Sequence, residues 1–193
     1  MLSPHQLGAE LRRLREQMEY TLTEVAQSIG ISKSLLTLAE QGKRRLPLAA
    51  LQRLLALYGS SLTQLLSARY LPDRSAAGAA CWHGIDLLAF VSDRALRGCV
   101  LRLLRPAPVP ESAVWLELRL SPGSQLPPEG YWSLSASSDG VALEGNLLVE
   151  LPGDELLVRS GEAFSIRAGQ GHRYRNYLRT PVRAVLVLSR AVL

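Results

Sequence analysis

The stretch "GEAFSIRAGQGHRYRN", Gly161–Asn176, carries one of the three histidines of the chain. His172 follows a glycine-rich turn and precedes Arg-Tyr-Arg-Asn. An imidazole on such a polar strand can ligate a metal, move a proton or line a pocket. A metal needs at least three protein donors, and the other histidines, His5 and His83, lie far away along the chain. Cys81 and Cys99 stand eighteen apart and match no zinc or redox spacing, so they read as ordinary thiols of a reducing cytosol. Strand alternation puts His172, Tyr174 and Asn176 on one face and Arg173, Arg175 and Tyr177 on the other. Inside a barrel, the first set makes a polar floor for a small ligand. In a filled barrel the same three side chains are simply packed. No glycine-rich phosphate loop precedes a helix and no G-x-S-x-G elbow occurs.

A second group of chemically apt residues lies in "SKSLLTLAEQGKRR", 32–45. On a helix capped by Ser32, Lys33, Ser34 and Thr37 share one face at spacings of three and four. Such side chains can read base edges, and Leu38 on the same face can touch a thymine methyl. Lys43, Arg44 and Arg45 follow the helix end and are placed for phosphates. Thr21 and Ser32, at the starts of two helices, join the set expected to face DNA.

The elements that must position these groups fall into two regions. Residues 1–70 hold nine Lys/Arg and five Asp/Glu, a balance of +4, whereas the remaining thirteen Arg and twelve Asp/Glu give +1. A basic front and a near-neutral remainder place any polyanion contact at the front. The front also has helical periodicity: Leu7, Leu11 and Leu14 form one apolar stripe. Thr21 with Glu24 is a capping-box pattern before "LTEVAQSI", and Gly30 supplies the stop. "ISKSLLTLAEQG" ends at Gly42, "PLAALQRLLALYG" begins at Pro47 and ends at Gly59, and "SSLTQLLSARY" makes a short fifth helix. Val25, Ala26, Ile29, Leu36 and Ala39 are spaced to be buried between the second and third helices. The non-periodic "LPDRSAAGAA", 71–80, reads as a linker. From residue 81 onward, short Val/Leu-rich runs broken by Pro-Gly, Gly-Asp, Asp-Gly and Ser-Gly turns predict an all-β domain. Trp115 is expected in its core or on a dimer face. No signal-peptide pattern and no apolar run of eighteen residues is present, so a cytoplasmic protein without membrane contact is expected.

Two resemblances follow. Residues 7–66, with "LRRLRE", "TLTEVAQSIGIS", "SLLTLAEQGKRRLP" and "LQRLLALYGSSLTQLL", resemble the five-helix XRE, or lambda-repressor-like, helix-turn-helix family. The resemblance implies an Arg15–Glu40 ion pair tying helix 1 to the recognition helix, and DNA contact through that helix. Leucines stand in "LLTLAE" where polar base-reading residues are common in the family. Residues 112–190 are similar to the jelly-roll cupins. Gly161, Gly169, His172 and Asn176 keep the spacing of their second motif, with Arg167 where proline is usual. The metal ligands of the first cupin motif would fall at or near Trp132, Leu134 and Ser138, none of which binds metal. The expectation is therefore an α+β, two-domain chain with no metal and no cofactor. Its expected pocket is Trp132, Leu134, Arg167, His172, Tyr174 and Asn176, with Arg167 or Arg173 at the mouth for an anionic group. The expected partners are a double-stranded DNA operator, a small-molecule effector and a second copy of the chain. Two alternatives remain open: an antitoxin-like partner protein with a structural barrel, and a DNA-tethered cupin enzyme.

Overall fold

The computed structural model describes residues 4–60, 65, 73–74, 80–81, 84–105 and 113–190. Two compact units divide them. The first takes in the N-terminal helices together with Ala89–Asp93, and the second holds the remaining strands.

In the first unit α1 spans Pro4–Gln17, α2 Leu22–Ile29, α3 Lys33–Glu40 and α4 Leu48–Leu57. The expected fifth helix lies outside the described residues except for Leu65, which is helical and buried. Leu7 and Leu11 of α1, Val25, Ala26 and Ile29 of α2, Leu36 and Ala39 of α3, and Leu51, Leu54 and Leu55 of α4 are buried. This is the apolar stripe that each periodic pattern demands. The α2 capping box is complete: Thr21 Oγ1 accepts from the Glu24 N–H and the Thr21 N–H donates to the Glu24 carboxylate. The helix stops at Gly30, whose φ of 70° lies in the left-handed region that glycine tolerates.

The second structural finding in this unit is a late segment. Val91 forms a parallel bridge with Leu46, and the Ser92 N–H donates to the Leu46 carbonyl at 2.9 Å. The β region therefore does not run unbroken from residue 81. The expected linker also contains structure: β1 (Asp73–Arg74) pairs antiparallel with β2 (Ala80–Cys81). Its small polar composition hid a ladder too short to show a period.

The second unit is built from β3 (Ile85–Asp86), β4 (Cys99–Arg105), β5 (Val114–Leu120), β6 (Gln125–Leu126), β7 (Ala136–Glu144), β8 (Leu147–Leu151), β9 (Asp154–Val158), β10 (Ala163–Ile166), β11 (Arg173–Arg175) and β12 (Val182–Arg190). A six-stranded sheet has the order β10-β7-β12-β5-β4-β3, and a four-stranded sheet has the order β6-β11-β8-β9. Both are antiparallel. Alternate residues are buried: Cys99, Leu101 and Leu103 on β4, Leu116, Leu118 and Leu120 on β5, and Val182, Ala184 and Leu186 on β12. Phe164 of the larger sheet stands edge-on to Tyr174 of the smaller at 6.2 Å between ring centres. The two inner faces thus meet in one core, the two-layer arrangement expected of a jelly roll.

Candidate nucleic-acid interface and barrel interior

The helix-turn-helix is organised around α3. Gly30, Ile31 and Ser32 connect it to α2, and the Ile31 N–H closes on the Ala26 carbonyl at 3.0 Å. Ser32 caps α3 by accepting the Leu35 N–H at 3.2 Å. One face of α3 is buried against α1 and α2 through Leu36 and Ala39. From α1, Arg15 Nε and its terminal NH2 reach the two Glu40 carboxylate oxygens at 2.7 and 2.9 Å. Arg15 also donates to the Tyr20 carbonyl at 3.0 Å. These side chains are only 11% and 5% exposed, so α3 is clamped to α1 by a bidentate pair shielded from water. The hydrogen bond to Glu40 holds the Arg15 guanidinium above its ordinary pKa.

The opposite face of α3 is open. Lys33 and Ser34 are exposed, and Thr37 and Leu38 are half-buried. The Thr37 hydroxyl donates to the Lys33 carbonyl at 2.9 Å. Its proton is spent within the helix, so it offers outward only lone pairs and a methyl group. Ser32 and Ser34 hydroxyls lie 3.1 Å apart. Beyond α3, the Lys43 and Arg44 N–H groups fold back onto the Leu38 carbonyl. That turn carries Lys43, Arg44 and Arg45, all exposed. Thr21 stands apart from the rest. Its hydroxyl donates to Glu24 Oε2 at 2.7 Å, and the Thr21 hydrogen bonds hold that carboxyl below its ordinary pKa. An ionised carboxylate therefore sits at the α2 N-terminus, where a phosphate would otherwise be favoured.

Sequence reasoning missed Gly8. A methyl group at this position would lie 2.5 Å from the Ala39 carbonyl, 2.6 Å from that of Glu40 and 2.7 Å from the Gly42 N–H nitrogen. Gly8 lets α1 approach the end of the recognition helix. An isolated glycine within a helical pattern was the available signal.

In the β unit, His172, Tyr174 and Asn176 are buried and the alternate residues Arg173, Arg175 and Tyr177 face outward or sit half-buried. His172 and Trp132 exchange both backbone hydrogen bonds at 2.8 Å, and the Gly169 N–H donates to the Leu134 carbonyl. Trp132 and Leu134 therefore do border the glycine-rich turn, each half-buried. Arg167 is exposed. Arg173 turns away: it pairs with Glu150 and lies 5.3 Å from the centre of the Tyr131 ring. Asn176 must be reassigned. Its amide donates to the Leu120 and Thr180 carbonyls at 3.0 and 2.8 Å, and its Oδ1 accepts the Leu178 N–H. Those bonds tie the end of β5 to the turn before β12 and use both amide N–H groups, so the side chain serves the fold.

The tautomer of His172 follows from its one partner. Nδ1 lies 2.9 Å from the Gln170 carbonyl, which can only accept, so Nδ1 carries the proton. Burial lowers the His172 pKa, with the Gln170 hydrogen bond opposing, so the ring is neutral and Nε2 is a bare acceptor. Burial likewise pushes the Tyr174 phenol up to about 12, with the neighbouring Ser138 hydroxyl opposing. Among the described residues no group of three or more His, Cys, Asp or Glu could hold a metal ion. No described helix is long and apolar enough to cross a membrane.

A family model for a helix-turn-helix domain matches residues 6–67. No curated protein matches the sequence. Among solved structures, an HTH_3 family transcriptional regulator from Vibrio cholerae superposes with a TM-score of 0.67 at 18% identity, covering 97% of both chains. That likeness shows the two-domain α+β fold alone. The Cupin_2 domain of an XRE family transcriptional regulator from Enterobacter cloacae gives 0.44 at 18% identity, over 49% of this chain and 98% of that one. Hydroxypropylphosphonic acid epoxidase from S. wedmorenis gives 0.45 at 17% identity, over 97% and 98%. These two likenesses are too loose to inform the site.

Proposed function

With an XRE-type helix-turn-helix domain at residues 6–67 and a cupin-like β domain behind it, we propose that this chain is a sequence-specific transcriptional regulator that binds double-stranded DNA. The observation that carries the reading is the two-sidedness of α3. Its inner face is buried and clamped by Arg15–Glu40, while Lys33, Ser34, Thr37 and Leu38 remain on the other side. A rigid helix with a polar outer face is what a major groove admits. Lys43, Arg44 and Arg45 supply phosphate contacts that fix its register, and Ser32 holds the start of the helix. Thr21 is a cap first, because its hydroxyl is taken by Glu24.

One such headpiece reads few base pairs, so the working species is a homodimer on half-sites about one helical turn apart, ~34 Å. The cupin-like domain holds the dimer together and senses a small molecule, with Trp132, Leu134, His172 and Tyr174 at the pocket and Arg167 at its mouth. The protein works in the cytoplasm, and catalysis is not part of its role.

The test is binding to a selected operator and to random DNA at fixed salt. Lys33→Ala and Thr37→Val should each weaken operator binding about tenfold and leave random-DNA binding within about twofold. Equal losses on both DNAs would sink the assignment of these residues to base readout.

A further inference from the structure

Besides Arg102 Nε on β4, three side-chain atoms buried in the β unit have no hydrogen-bond partner among the described residues: Ser138 Oγ, His172 Nε2 and Tyr174 Oη. Each belongs to a residue only 1% exposed. They form one group. His172 and Tyr174 project from the same face of the smaller sheet with ring centres 5.2 Å apart. Ser138 projects from β7 of the facing sheet, and its hydroxyl lies beside that of Tyr174 without completing an aligned hydrogen bond. A buried polar atom left unpaired costs about 1–3 kcal/mol. Here three such atoms belong to neighbouring side chains of two facing sheets.

Their chemistry is complementary to one kind of guest. His172 Nε2 is a bare lone pair, because its Nδ1 donates to Gln170. The two hydroxyls can each donate or accept. None of the three is charged, and Phe164 stands edge-on to Tyr174 on the other side. An anion would meet the imidazole lone pair head-on, and a cation would find no counter-charge among these groups. We propose that Ser138, His172 and Tyr174 form a binding site for a small neutral molecule that donates an N–H or O–H to His172 Nε2 and accepts from the two hydroxyls. Trp132, paired backbone to backbone with His172, borders that site. The expected anionic effector anchored by Arg167 or Arg173 is thereby replaced by a neutral one, in keeping with Arg173 being held by Glu150. This deepens the sensing reading above and rests on it only for the consequence at the operator.

The test uses the full chain labelled with nitrogen-15 histidine, with acetamide and its charged isostere acetate as probes. The free protein should show His172 protonated at Nδ1. Acetamide should shift the His172 Nε2 resonance in a saturable way, and acetate should not. Ser138→Ala and Tyr174→Phe should each weaken acetamide about tenfold, the loss of one hydrogen bond. Both variants should also raise the melting temperature of the unliganded protein, because each deletes an unpaired hydroxyl. A merely structural role predicts the opposite sign. Protonation at Nε2, equal binding of acetate, no response to acetamide, or a lowered melting temperature in both variants would overturn the proposal. If acetamide saturates the site and operator affinity does not change, the site stands and the sensing reading falls.

Discussion

The recognition helix and the barrel interior place their polar groups in opposite ways. At α3 the inward side is settled: Leu36 and Ala39 are packed, and the one inward carboxylate, Glu40, is matched by Arg15 at two contacts. Its unspent chemistry faces out. In the β unit the buried carboxylates of the outer faces are paired instead. Buried Glu117 gathers Arg119 and Arg183 at 2.8 and 2.7 Å, with Arg102 at 3.7 Å, and Glu150 gathers Arg173 and Arg175. There the unspent groups face in, at Ser138, His172 and Tyr174. A surface presented to a large rigid partner must be pre-formed and open. A site for a small guest can be enclosed, provided its polar atoms wait for that guest. The contrast lies in where each unit leaves polar groups unspent, on the outer face of α3 in one and between the two sheets in the other.

The largest expected effect attacks the pre-formed surface. Gly8→Ala puts a methyl group against three backbone atoms of Ala39, Glu40 and Gly42, none of which can swing aside. Helix α1 must then move off α3. The expected loss is about 3 kcal/mol of stability in the helical unit, read from chemical unfolding followed by far-ultraviolet circular dichroism. Gly30→Ala is the control: its Cβ meets nothing, and only the left-handed φ of 70° opposes it, at about 1 kcal/mol. Equal losses would mean that α1–α3 contact does not set the interface.

Next comes a matched pair of carboxylate changes. Glu40→Gln leaves Arg15 charged and 11% exposed, a loss of about 3 kcal/mol for an uncompensated buried ion. Glu117→Gln leaves Arg102, Arg119 and Arg183, whose side chains are 39–50% exposed and can turn to water, so it costs less, ~1 kcal/mol. Glu117 also gives a pH response. Burial by itself would raise the Glu117 pKa, but Arg183 and Arg119 hold it below the ordinary 4.5. A carboxylate with a depressed folded pKa stabilises fully above its ordinary value and loses that contribution as pH falls through the folded one. Acid titration of the β unit should therefore lose a limb below about pH 4.5 in the Glu117→Gln variant. An unchanged acid limb would break the account of Glu117 as a charge hub.

What the sequence told in advance follows the range of the interactions. The α2 cap, the Gly30 stop and the α3 N-cap are local signals, set by residues within four positions of one another, and they were legible. So was the alternation of His172, Tyr174 and Asn176 against Arg173 and Arg175, because a pleat has a period of two. The Arg15–Glu40 pair, twenty-five residues apart, was reached only through the family resemblance. Asn176 was misplaced for a physical reason: burial on the inner face is legible, but its partners Leu120 and Thr180 depend on how β5 and the turn before β12 close up. Ser138 was noticed only as a missing metal ligand, since an unpaired hydroxyl has no sequence signature. The return of Ala89–Asp93 to the helical unit was invisible for the same reason, being one bridge between distant backbones.

That bridge gives the smallest effect and tests whether the late segment supports the helical unit that contains it. The Ser92 N–H donates to the Leu46 carbonyl, and Val91 is buried beside it. Leu46 directly follows the basic turn Lys43–Arg45. Ser92→Pro removes the donor and should lower the stability of the helical unit by ~1 kcal/mol, with faster amide exchange at Leu46 and Leu48. Ser92→Ala keeps the N–H and should change neither. If the proline variant leaves exchange in the helices untouched while the alanine control behaves, the late segment rests on the helical unit without supporting it. If exchange rises as expected, the stability of the DNA-facing unit depends on a residue some fifty positions beyond the recognition helix.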